Sequence, residues 1–166
     1  MRSFSLVLLR RLLFRSFPGY NAKSPMMLYD HLSSQTLTTL ERLLLHSLSH
    51  ETFSVVRRKT VDTICDLANN SMNRGRPWHS LQAQAFSMTQ STDMHDRESA
   101  FRVFAGCPNL IVDLQIDAIL GVLQKGLQDP QSVEVNTCPQ VFCFGLLTRT
   151  GPPCCASRFS VLLDIL

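Results

Sequence analysis

Arg57-Arg58-Lys59-Thr60-Val61-Asp62-Thr63-Ile64 is the stretch that decides the fold. Its pattern returns forty residues later as Arg97-Glu98-Ser99-Ala100-Phe101-Arg102-Val103-Phe104. In each, an Arg is followed after two or three residues by small or apolar residues at helical spacing. An earlier copy runs from Arg2 through Ser5 and Leu6 to Leu9. A further one begins at Asp129 and breaks off at Val135, where the expected Arg is Asn136. A period near forty residues is the signature of stacked helix pairs, because one pair cannot bury its apolar face alone. Such a stack works by presenting a surface and not by enclosing a catalytic pocket.

Outward from these stretches the apolar periodicity predicts the other helices. The first runs from about Arg2 to Arg15, with Phe4, Leu6, Leu9 and Leu13 as its buried stripe. Pro18-Gly19 and Pro25 interrupt it, and a loop is expected over about 16–35. The second starts near Thr36, with Thr38 and Glu41 at capping-box spacing and Leu37, Leu40, Leu44 and Leu48 on one face. After a turn at His50-Glu51-Thr52 the third spans Ser54 to Asn73, with Val61, Ile64, Cys65 and Ala68 inward. Gly75 ends it, and Pro77 suits the first turn of a fourth that carries Trp78, Leu81, Ala85 and Met88. The fifth holds Ala100, Phe101 and Phe104 and stops before Pro108. A sixth is expected from Asn109 to Leu127.

With A and B naming the two helices of a repeat, the order is B, A–B, A–B, A. The expected fold is all-α: a solenoid of HEAT-type antiparallel helix pairs over 1–135, truncated at both ends, with an irregular tail over 136–166. Large apolar side chains left on the open end faces forgo about 1.5–3 kcal/mol each, so the isolated chain is expected to be marginal. The tail carries Cys138, Cys143, Cys154 and Cys155 and breaks the helical pattern. A change of reading frame or a retained intron after Val135 accounts for its composition.

Hydrophobic residues make up 45% of the chain and charged residues 17%. That supplies a core and excludes a wholly disordered chain. The net charge of +3 is too small, and too poor in interleaved aromatics, for a nucleic-acid stripe. No apolar run reaches the roughly 18 residues of a membrane span. Arg2, Arg10, Arg11, Arg15 and Lys23 precede the first acid, Asp30, as in a mitochondrial presequence. The same segment also fits the repeat, and that reading is preferred. Cys65 and Cys107 read as small buried residues.

The quoted stretches, with Leu8-Leu9-Arg10-Arg11-Leu12-Leu13, Cys65-Asp66-Leu67-Ala68, Trp78 and Leu127-Gln128-Asp129-Pro130, resemble the N-terminal repeats of importin-β (karyopherin-β) nuclear transport receptors of the beta-three type. The resemblance covers about Arg2 to Val135. It implies an armadillo-type scaffold that carries cargo past nucleoporins between cytoplasm and nucleus and releases it on Ran-GTP. It also implies that the B helices meet Ran. By position, Lys59, Asp62, Asp66, Asn69 and Asn70 on the third helix, with Glu98 and Arg102 on the fifth, are the candidate Ran-facing residues. Asp62, Asp66 and Glu98 are foremost, since the Ran face is basic; a merely solvated charged face is the alternative.

Other chemistry is set aside. The tail cysteines have no paired Cys-x-x-Cys spacing for zinc. His46 and His50 are spaced like the two histidines of a helical zinc site but lack the Glu between them. They read as ordinary polar residues flanking a turn. No nucleophile elbow or phosphate-binding glycine loop occurs, so no enzyme, cofactor or metal is expected. The competing readings are another HEAT scaffold, a mitochondrial import substrate, and a gene-model fragment without independent function.

Overall fold

The computed structural model describes residues 1–17 and 26–111, together with Gly121. Among these the helices are α1 (Arg2–Leu13), α2 (Leu28–His31), α3 (Ser34–His50), α4 (Ser54–Asn73), α5 (His79–Thr89) and α6 (Met94–Gly106), followed by a 3-10 turn at Pro108–Ile111. The expected sixth helix, from Asn109 to Leu127, opens as part of that 3-10 turn; the rest of it, apart from Gly121, and the tail over 136–166 lie outside the described residues.

The start of α3 differs from the sequence expectation. Ser33 is its cap, accepting from the Thr36 amide at 3.1 Å. A hydroxyl in extended backbone one turn earlier satisfies the free amide first. Thr38 therefore donates to the Ser34 carbonyl at 2.9 Å, and Glu41 accepts from Arg76 at 3.2 Å. At the other end α3 runs through His50, so the turn is shifted one residue on, to 51–53. Gly75 closes α4 as expected. Its φ of +71° is a conformation that side chains resist, and it brings the Arg76 amide within 2.9 Å of the Ser71 carbonyl. Pro77 precedes Trp78, the residue flanking α5, and so stands just outside that helix.

The expected loop also contains structure. A two-residue antiparallel pair joins β1 (Ser16–Phe17) to β2 (Met26–Met27), with Ser16 opposite Met27. Behind it Tyr29 of α2 is buried, stacks on Phe14 and shares a 2.7 Å hydrogen bond with Ser71 of α4. Arg74 lies over the Tyr29 ring and donates to Asp30 at 2.7 Å. That bond, against a small burial cost, holds the Asp30 carboxyl below its ordinary range.

The helices form two layers. α1, α4 and α6 stack side by side, while α3 backs α4 and α5 backs α6. Gln84 of α5 ties the second layer by donating to the Leu45 carbonyl and the Ser49 hydroxyl of α3 at 3.0 and 2.6 Å. Between the layers lie Leu44 and Leu48, Ile64 and Leu67, Leu81 and Ala85, and Phe101 and Phe104, all buried. On α1 only Leu13 is fully covered, with Leu6 and Leu9 partly so. Phe4, expected inward, is 63% exposed and forms an open stripe with Leu8 and Leu12. The stripe points away because α4 covers a single side of α1.

The repeated arginine has one job in both copies. Arg57 donates through Nε to the Glu51 carbonyl at 2.9 Å, and Arg97 donates to the Ser91 and Thr92 carbonyls at 3.0 and 2.9 Å. Each reaches back five or six residues to carbonyls at or just past the end of the preceding A helix. Those carbonyls belong to no helical ladder and stand near the negative end of the A-helix dipole. The amide two residues after each acceptor is also satisfied locally: Phe53 donates to Glu51 Oε1 and Asp93 to Ser91 Oγ, both at 3.1 Å.

α4 and α6 come closest where Gly106 meets Cys65. A Cβ on Gly106 would stand 2.5 Å from Cys65 Sγ and 3.1 Å from its Cβ. Around it Asn69 donates to the Gly106 carbonyl at 2.8 Å, and the Cys107 thiol donates to the Cys65 carbonyl at 3.2 Å. A hydrogen bond with the Cys65 side chain, then burial, pushes the Cys107 thiol far above its ordinary range. It stays protonated and inert. Gly106→Ala is expected to cost about 1–3 kcal/mol by overpacking, although alanine is the better helix former. In a Cys65→Ala background the same change should cost less. A denaturant double-mutant cycle with no coupling between the two positions contradicts this.

Candidate functional site

The outer edge of the α1–α4–α6 layer gathers the candidate residues. On α4, Lys59, Asp62, Asp66, Asn69 and Asn70 follow at three- and four-residue intervals, which puts them in one row along the helix. The row is not a set of independent solvated charges. Arg10 reaches over from α1 and donates through Nε to Asp66 Oδ2 at 2.6 Å, with NH1 3.6 Å from Asp62 Oδ2. Lys59 Nζ stands 3.1 Å from the same Asp62 oxygen. The Asp62 and Asp66 side chains nevertheless remain 43% and 39% exposed, so both carboxylates are partly neutralised and still reachable.

Asn69 and Asn70 serve the fold. Asn69 holds the Gly106 carbonyl, as above, and Asn70 donates to the Asp66 carbonyl at 2.9 Å and accepts from Arg74 at 3.1 Å.

Glu98 differs from expectation. It is 7% exposed, because helical spacing turns it towards α4. There its Oε1 accepts from Arg102 at 2.8 Å and from Arg58 at 3.3 Å. Arg102 keeps its rim on the surface, at 38% side-chain exposure. The surface row is thus Lys59, Asp62, Asp66 and Arg102, with Arg10 bridging and Glu98 beneath.

Arg10 and Arg58 were missed from sequence. A signal existed for Arg10: it lies in an apolar helix with no acid before Asp30. A cation there has to borrow its carboxylate from another element. For Arg58 the clue is the forty-residue spacing to Glu98, which places the two at equivalent points of adjacent repeats.

Alternating, partly exposed charges of both signs suit a reversible protein contact. They give specificity and encounter rate at modest affinity. Among the described residues no group of three or more His, Cys, Asp or Glu side chains converges as a metal centre would. No helix among them is long and apolar enough to cross a membrane.

Comparison with known proteins bears on the fold and the family. A family described as IPO5-like, TPR repeats matches residues 52–139. The crystal structures of Kap121p alone and of Kap121p bound to Ste12p superpose with a TM-score of 0.77 at 24% identity. The match covers 98% of this chain and 14% of each Kap121p chain, so this chain spans about a seventh of their length. At that identity the likeness shows the fold: a Kap121p-type helical solenoid.

Arg10→Gln should remove the polar tie between α1 and α4. The pair is half-exposed, so the expected loss is about 1 kcal/mol or less and shrinks as salt rises. Hydrogen exchange should accelerate in the α1 amides while α6 keeps its protection. Equal acceleration in both helices goes against a local tie.

Proposed function

This chain belongs to the IPO5-like, TPR-repeat family, and from that membership we propose that it is part of an importin-β-type nuclear import receptor, a binding scaffold without catalysis. In this reading the α1–α4–α6 face meets Ran-GTP. Cargo and nucleoporins are handled by the receptor as a whole, which moves between cytoplasm and nucleus. The observation that supports it is the half-buried but reachable carboxylate pair Asp62 and Asp66, held in one row by Arg10 and Lys59. A basic partner surface can compete with Arg10 for those carboxylates. Arg102 and Lys59 flank the pair as contacts for carbonyls or acids of the partner. Glu98 acts from below by fixing Arg102, and Asn69 by fixing the end of α6. The bound Ste12p of the Kap121p structure is the precedent for cargo.

The test is binding of the full chain to Ran loaded with a non-hydrolysable GTP analogue or with GDP. Binding should favour the triphosphate form, and Asp62→Lys with Asp66→Lys should weaken it by roughly tenfold or more, about 1.4 kcal/mol. Those changes also release Arg10. The swap Arg10→Asp with Asp66→Arg restores the tie while moving the carboxylate. Loss of binding in a swap that melts normally marks Asp66 as a contact. Equal binding of both nucleotide forms, or charge reversals without effect, sinks the proposal.

A further inference from the structure

We infer that Arg10 is an internal competitor for Asp62 and Asp66, which rests on their row being the partner face proposed above. Arg10 occupies both carboxylates in the free chain and so holds down their affinity for a basic partner.

Arg10 belongs to α1 and both carboxylates to α4, so the contact is made across two helices. The guanidinium lies against the Oδ2 atom of each acid. It donates through Nε to Asp66 at 2.6 Å and stands 3.6 Å from Asp62. A permanently charged, forked donor is what a basic protein surface itself offers to carboxylates. The chain thus presents to its own site the chemistry of the ligand. The contact is also within reach, since the Arg10 side chain is 30% exposed between two partly exposed acids. The ion pair on the other side of α4 is the contrast. Arg58 stands 3.3 Å from Glu98 of α6, but that carboxylate is 9% exposed and is held by Arg102 as well. A partner can take over the first pair and not the second.

Exposed pairs of this kind shift an equilibrium by up to about fivefold, the equivalent of about 1 kcal/mol. Arg10 is therefore off the carboxylates for roughly a sixth of the time or more. Apparent affinity is reduced by that fraction. Removing Arg10 should tighten the binding of a basic partner, whereas a purely structural role for Arg10 predicts weaker binding. Salt gives a second signature. With Arg10 present, a partner exchanges one ion pair for another; without it, a new pair forms from free carboxylates. Binding to Arg10→Gln should fall more steeply with salt and converge on the wild type at high ionic strength.

A blocked tetralysine peptide tests this without Ran. It is titrated into the ¹⁵N-labelled full 166-residue chain and followed at the Asp62 and Asp66 amides. At low salt Arg10→Gln should bind up to about fivefold more tightly than wild type. Arg11→Gln removes the same charge from the next position of α1, where the exposed Arg11 pairs with neither carboxylate. Its affinity should stay within about twofold of wild type. Equal tightening in both variants, unchanged or weaker binding in Arg10→Gln, or no response at Asp62 and Asp66 in any chain overturns the inference. The same chains are then offered Ran loaded with the GTP analogue. If the peptide result holds and wild type does not bind Ran, the proposed partner is wrong and Arg10 keeps its role.

Discussion

The stacking of α4 between α1 and α6 is the constraint on which the rest depends. A helix with neighbours on both sides and a third behind it has little surface left for large side chains. α4 meets this with Thr60, Thr63, Ala68 and Ser71, all buried. Small residues let the backbones approach, and the price is that each buried hydroxyl needs a partner inside the structure. Thr63 finds the Lys59 carbonyl at 2.7 Å. Thr60 bonds to the Val56 carbonyl at 3.1 Å and lies 3.4 Å from the Ser47 hydroxyl of α3. Ser71 takes Tyr29. The segment before α3 thereby becomes part of the core, because its Tyr29 supplies the partner of the buried Ser71 hydroxyl.

The forty-residue repeat has a mechanical origin. An arginine near the start of each B helix folds back onto carbonyls of the turn that follows the preceding A helix. This fixes the angle of the turn before the apolar faces meet. The spacing of Arg57 and Arg97 is therefore set by one turn geometry used twice. It was readable without knowing that geometry because the bonded atoms belong to the backbone and recur whatever the surrounding side chains are.

What could be read from sequence follows a physical rule. Burial inside a helix pair depends on periodicity, so Leu37, Leu44, Leu48, Ile64, Phe101 and Phe104 were legible, as was the glycine stop at Gly75. Phe4 was misplaced because the stripe alone does not say how many sides of α1 are covered. Partner choice between distant helices is a different matter. Glu98 looked like a surface acid because nothing in its own segment indicates that Arg58 waits opposite. Asp62 and Asp66 looked free because Arg10, their partner, lies fifty residues and more away. The cap at Ser33 was lost to a more conspicuous pair of residues one turn on. The layout of the candidate face was thus legible as a row of charges, while its pairing was not.

The two contacts of α4 differ in kind. Towards α6 it is held mainly by directional bonds to backbone carbonyls around Gly106 and by side chains in van der Waals register, neither of which responds to dissolved ions, with the Arg58–Glu98 ion pair at 3.3 Å as one added polar tie. Towards α1 its polar tie is a partly exposed ion cluster, and at physiological ionic strength such attractions are screened over about 8 Å. The short solenoid thus has one stiff joint and one compliant joint. A partner that competes for Asp62 and Asp66 would act on the compliant one, so docking on this face would change the pitch between α1 and α4 and leave the α4–α6 step rigid. Occupancy of a surface site would then be converted into a change of curvature, which a longer stack of the same helices would amplify along its length.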